Sequence, residues 1–139
     1  MKYQRIDNTY VVRLEIGDEI FDSLSKLCMQ KSIYAATVQG LGAVDIVDIG
    51  YYSTEDNVYH TKTYNKQLEM ITLNGNVSVK NGEPYLHLHG AFSDENYSMI
   101  AGHLNKAQIS ITAEIFVTVF SGEINRRVSE ETGLNIFDI

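Results

Sequence analysis

Three of the four histidines lie within 17 residues, in Pro84-Tyr85-Leu86-His87-Leu88-His89-Gly90 and Gly102-His103-Leu104. His87 and His89 are two apart, so a β-strand would turn both to one face, with Cα atoms roughly 6.6 Å apart. His103, on a neighbouring segment, could complete a facial triad. Three neutral imidazoles with an open fourth position suit Zn2+ or another divalent metal. The adjacent glycines, Gly90 and Gly102, allow close backbone approach. The same pattern also fits a polar ligand pocket, a hydrogen-bonded cluster or an interface between subunits. His60, alone in Val58-Tyr59-His60-Thr61-Lys62, reads as a surface strand residue.

A metal site needs groups that orient its rings. Glu69 and Glu114 interrupt otherwise apolar strand patterns and are the candidates for that second shell or for a ligand pocket. Either could act as a general base if the site were that of a metal-dependent enzyme. Their alternative role is a solvated strand position or a salt bridge between subunits. Arg13 is a candidate anion-holding group in the same cleft. No Ser/His/Asp or Cys/His order points to covalent catalysis, and nothing in the sequence selects a substrate. Catalytic residues therefore stay unknown.

The elements that must position these residues read as follows. Thr9 to Ile16 is a strand with Val12, Leu14 and Ile16 on its apolar face. Gly17-Asp18 opens a helix that runs to about Lys31. Its acidic first turn suits the helix dipole, and its apolar stripe is Ile20, Phe21, Leu24, Leu27 and Cys28. Thr37 to Val44 reads as strand, glycine turn or bulge, strand. The two glycines, Gly40 and Gly42, are not followed by the lysine of a phosphate loop. Ile46–Ser53 and Val58–Tyr64 are strands joined at Glu55-Asp56-Asn57. Leu68 to Lys80 is a long strand with a bulge expected at Gly75. Asn81-Gly82 marks a hairpin, and Tyr85 to Ala91 returns from it. A turn or short helix follows at Ser93 to Asn96, then a loop at Gly102-His103-Leu104. A final strand spans Gln108 to Phe120, and the tail from Ile124 carries apolar residues that should pack back. The expectation is α+β: a mixed, largely antiparallel sheet of about seven strands with one main helix on it.

At 139 residues the chain is expected to form a single domain, 1–139, large enough for a core. Its net charge of −7 and scattered basic residues oppose nucleic-acid binding, which needs clustered Lys and Arg. The single cysteine, Cys28, excludes an intrachain disulfide and reads as a buried thiol. No signal peptide and no membrane-length apolar run are visible, so a cytoplasmic location is the expectation.

With these residues laid out, the chain resembles the plants-and-prokaryotes conserved (PPC) domain, of the stand-alone prokaryotic type. The resemblance runs through Arg13-Leu14-Glu15-Ile16-Gly17-Asp18-Glu19, Gly40-Leu41-Gly42-Ala43-Val44 and Leu68-Glu69-Met70-Ile71-Thr72-Leu73-Asn74-Gly75. It continues with His87-Leu88-His89, Gly102-His103-Leu104 and Thr112-Ala113-Glu114-Ile115. It implies a compact α+β domain, a homotrimer, and the designation of candidate DNA-binding protein. Ala101 stands where the family has the first glycine of Gly-Gly-His-Leu. The plant Gly-Arg-Phe-Glu element is Lys66-Gln67-Leu68-Glu69 here and keeps only the glutamate. The Arg-Gly-Arg-Pro AT-hook, the part that reads DNA minor grooves, is missing.

Overall fold

The computed structural model describes residues 1–139. It contains one helix, α1 (Ile20–Lys31), and eight strands: β1 (Lys2–Ile6), β2 (Thr9–Glu15), β3 (Ala36–Ser53), β4 (Val58–Lys80), β5 (Glu83–Ser93), β6 (Met99–Val119), β7 (Arg126–Val128) and β8 (Asn135–Phe137). Every strand ladder is antiparallel. β1 to β6 form one sheet in the order β1-β2-β6-β3-β4-β5, and β5 pairs again with β6. That second pairing, between His89–Ser93 and Met99–His103, closes β6, β3, β4 and β5 into a ring over that stretch.

The hairpin chemistry follows the residues. Asn81 and Gly82 both adopt positive φ, at 54° and 80°, and join β4 to β5 in a tight turn. The β3–β4 hairpin turns between Ser53 and Val58. α1 lies against β5 and β6 and buries Ile20, Leu24, Leu27 and Cys28, while Phe21 is only half-buried. Burial pushes the Cys28 thiol up to about 12, so it stays a thiol. The helix begins two residues later than the acidic run implies. Glu19 is its N-cap: one carboxylate oxygen accepts from Asp22 N at 2.8 Å and the other from Ala107 N on β6 at 3.0 Å. One side chain thus caps the helix and ties it to the sheet.

The long strands differ from the sequence reading in instructive ways. β3 is continuous from 36 to 53; of the bulge and the turn expected at Gly40 and Gly42, the structure has a bulge-like register shift between them and no turn. β4 is likewise a single strand. β1 precedes the first expected strand and pairs with it. Ile16 falls just beyond β2 and is exposed. Ile111 is also exposed, although Ile109 and Ala113 are buried. The β3–β6 register shifts between Gly42 and Val44, opposite this stretch, and breaks the alternation. Gly75 carries no bulge. It pairs in register with Val38 and Leu88, and the β4–β5 shift lies at Met70/Thr72.

Candidate metal centre

The expected loop at Gly102-His103-Leu104 is instead part of β6, which is unbroken from Met99 to Val119. His103 therefore sits on the seam where the sheet closes. It pairs with His89 of β5 on one side and with Gly50 of β3 on the other. His87 and His89 flank Leu88, which is fully buried, so the pleat turns both rings away from the core. The three imidazole centroids are 5.0–5.2 Å apart. One ring nitrogen from each lies within 4.8 Å of the others. Tetrahedral bonds of roughly 2.0–2.1 Å place such nitrogens about 3.3 Å apart, so the three lie within reach of one ion.

Glycines make the seam. A Cβ on Gly102 would come within 2.9 Å of the Gly50 carbonyl, and one on Gly90 within 2.6 Å of the Phe92 ring. Both glycines adjoin the His89–His103 pair, so strands and core can meet closely beside it.

None of the three imidazoles forms a hydrogen bond within the chain, and all their ring nitrogens are free for a ligand. Burial, then the neighbouring His103, Arg126 and His89, push His87 down to about 4. Burial and His89 lower His103 as well. Neutral imidazoles are the form that binds a metal. In metal-free protein the same depression acts on stability. His87 is neutral in folded and unfolded chains above about pH 6.5, but below it the unfolded chain takes up a proton that the folded site refuses until about 4. Stability of chelator-treated protein is therefore expected to fall as pH drops through that window. His87→Gln is expected to flatten this part of the profile of urea midpoint against pH; an unchanged slope would remove His87 as the cause.

The histidines open into a cavity of about 540 Å³. Tyr51, Tyr52, Tyr59 and Tyr85 wall it from the sheet, and Leu134 and Ile136 from the tail. Tyr59 packs edge-on to His103, with ring centroids 6.0 Å apart. Its hydroxyl donates to Asn105 Oδ1 at 2.8 Å, and Asn105 Nδ2 donates to Asp48 Oδ1 at 2.8 Å. Burial raises the Tyr59 pKa, so the hydroxyl keeps its proton and remains a donor.

The tail packs back as a two-stranded hairpin, β7–β8. Arg126 fixes it. The guanidinium lies 4.7 Å from the Tyr85 ring centre and 4.6 Å from that of Phe137. It donates to Ser78 Oγ, Asn76 Oδ1 and the Asn135 carbonyl. Neither Arg126 nor the tyrosines were readable as parts of the site. The signals available were the adjacent Arg126-Arg127 pair and the Tyr51-Tyr52 pair, both of which look like ordinary surface sequence.

The expected second shell does not form within one chain. Glu114 lies eleven positions beyond His103 on β6, opposite Arg13 and Leu41. Glu69 pairs with Ala43 and Ser93, five positions along β4 from the Asn74 that faces His89. Arg13 reaches Glu15 at 2.9 Å in an exposed pair. None of the three lines the histidine cavity, because the register of these long strands carries them to another part of the sheet. His60 is exposed on β4, stacked on Tyr51 at 5.6 Å, and does not join the other three.

An antiparallel sheet with a single helix, arranged in this way, is the architecture of a known class. The profile of the Plants and Prokaryotes Conserved (PCC) domain, the family also abbreviated PPC, matches residues 1–121. The chain belongs to this family. It is 34% identical to a Bacteroides thetaiotaomicron VPI-5482 protein named as a candidate DNA-binding protein; the match covers 99% of this chain and 96% of that one, with a TM-score of 0.96. It is 32% identical to a protein of Archaeoglobus fulgidus described as metal-containing, covering 99% of both chains at a TM-score of 0.88. A PPC protein of Pyrococcus horikoshii is 29% identical over 99% of this chain and 94% of that one, with a TM-score of 0.87. Among curated proteins, none matches the chain by sequence. No helix is long and apolar enough to cross a membrane.

Proposed function

We propose that this chain is a binding domain that holds a divalent metal ion, zinc being the simplest candidate, on His87, His89 and His103. The observation that carries this reading is the convergence of three ring nitrogens, none engaged by the protein, in the wall of a cavity. The relative described as metal-containing supports it. A bound ion would supply Lewis acidity at its open position. The chain's own residues shape the space around it: the tyrosines and the tail wall it, and the Tyr59 hydroxyl is fixed by its donation to Asn105.

The test is metal content per chain of tag-free protein by elemental analysis, beside a His87→Ala/His89→Ala variant. One equivalent in the parent and none in the variant is expected. A parent that stays metal-free after zinc loading at neutral pH would sink the reading.

The protein is further proposed to act as a homotrimer. Leu41, Ile71, Ile111 and Phe116 are all large, apolar and 49–55% exposed. Leu41 and Ile71 line two grooves, one shared with Ile111 and the other with Phe116, so the four form one patch. Light scattering is expected to give about three times the 15.7 kDa chain mass, and Ile111→Asp to give monomer. A monomeric parent would rule trimerisation out.

A second reading, direct DNA binding, is favoured by the name of the Bacteroides relative. The net charge of −7 weighs against it. Absence of a mobility shift with duplex DNA at micromolar protein and low salt would remove it.

A further inference from the structure

We propose that the three-histidine pocket binds a small monoanion whose oxyanion is joined to a flat apolar body, an aromatic carboxylate being the simplest member. This deepens the metal-centre reading and rests on it. Two features of the pocket carry the inference.

The first is charge. Apart from the histidines, the cavity lining contains no Asp, Glu, Lys or Arg. Directly behind Tyr85 lies the guanidinium of Arg126, whose hydrogen bonds all go to neutral acceptors and which has no carboxylate within salt-bridge distance. A cation without a carboxylate partner therefore stands against one wall, and a divalent ion on three neutral imidazoles would add two positive charges at another; the carboxylate of Asp48, behind Tyr59, lies outside the lining and is engaged by Asn105 and Thr63. No acidic group in the wall would welcome an ammonium ligand. No lysine or arginine in direct reach would hold the second charge of a phosphate monoester. One oxyanion is the ligand charge that the site matches.

The second is shape and polarity. A cavity of about 540 Å³ falls within the range of small-molecule sites. Beyond the histidines its walls are four tyrosine rings, Leu134 and Ile136. Tyr51, Tyr59, Leu134 and Ile136 are 62%, 41%, 42% and 37% exposed, so apolar surface stays open to water at the mouth. An aromatic or similarly flat body would cover it. Leu134 and Ile136 lie beyond residue 121, outside the part of the chain that the family profile matches. The tail thus supplies one wall of the pocket, and Arg126 holds it in place.

The experiment uses the full chain loaded with Co2+, whose visible absorption reports on the coordination sphere, titrated separately with benzoate, acetate and benzamide. Benzoate is expected to bind at least tenfold more tightly than acetate and than benzamide. In a Leu134→Asn/Ile136→Asn variant cobalt stoichiometry should be unchanged, while the preference for benzoate over acetate falls toward unity. Equal affinities for benzoate and acetate would overturn the apolar-body assignment, and equal affinities for benzoate and benzamide the requirement for charge. A variant that keeps full discrimination would overturn the role of the tail. Cobalt retained without any ligand response defeats this inference alone; failure to retain cobalt defeats the metal-centre reading with it.

Discussion

His103→Ala is expected to lower zinc affinity by at least about 100-fold and to abolish stabilisation of the fold by zinc. Loss of a group that merely orients a ligand costs 10–100-fold in metal affinity, so loss of one of only three ligands falls at or beyond that limit. The effect should be read as stability as well as binding. Zinc at about 100 times its dissociation constant adds roughly 2.7 kcal/mol to the folded state. For a chain of this length that is a rise of about 10 °C in Tm. The parent should show the rise and reverse it on chelation; the variant should show neither. His60→Ala is the control, since His60 stacks on Tyr51 outside the cluster. A parent Tm indifferent to zinc and chelator would mean that the three rings are held together for another reason. A zinc response that survives His103→Ala would mean that β6 contributes no ligand.

The two-residue spacing of His87 and His89 was enough to place both rings on one face, because strand alternation is a local rule. The helix stripe and the Asn81-Gly82 turn are local in the same sense, and the structure has both. What could not be read is whatever depends on pairing between distant strands. His103 looks like a loop residue because Gly102 precedes it and polar Asn105-Lys106 follow. Its strand exists because β3 and β5 pair with it from both sides. Glu69 and Glu114 stand out in the sequence as charges within apolar runs. Whether such a charge faces the histidines depends on register over strands of 23 and 21 residues, and register shifts along β3, β4 and β6 move it. The aromatic wall has the same origin: Tyr51, Tyr59 and Tyr85 come from three strands and meet only once the ring closes. Pattern alone reached the α+β class and a largely antiparallel sheet carrying one helix; the resemblance added which known domain this is.

Gly75→Ala is expected to destabilise the protein by about 3 kcal/mol, the upper part of the range for forced overpacking. At an m-value of ~2 kcal/mol/M this lowers the urea midpoint by about 1.5 M. The reason is backbone approach, not the bulge that an isolated strand glycine implies. A Cβ on Gly75 would fall against the His87 carbonyl oxygen, 2.6 Å from Leu88 Cδ2 and 2.9 Å from Leu88 Cα. Two of those three atoms are backbone, so no rotamer change relieves the clash; β4 and β5 must separate. Leu73, Val77 and Leu88 are fully buried around this point, so separation also opens the core. Gly82→Ala provides the comparison. Gly82 has φ of +80° but open space where its Cβ would lie, and its cost is limited to the conformational strain of about 1–2 kcal/mol. The ordering of the two variants therefore separates close packing from backbone strain. Gly75→Ala should also weaken zinc binding although it removes no ligand, because the strand that must move carries His87 and His89. Gly82→Ala, at the far end of the same hairpin, should leave zinc affinity near that of the parent. If both variants lose the same small amount of stability and neither affects zinc, the β4–β5 approach at Gly75 is not what holds the histidine pair in place.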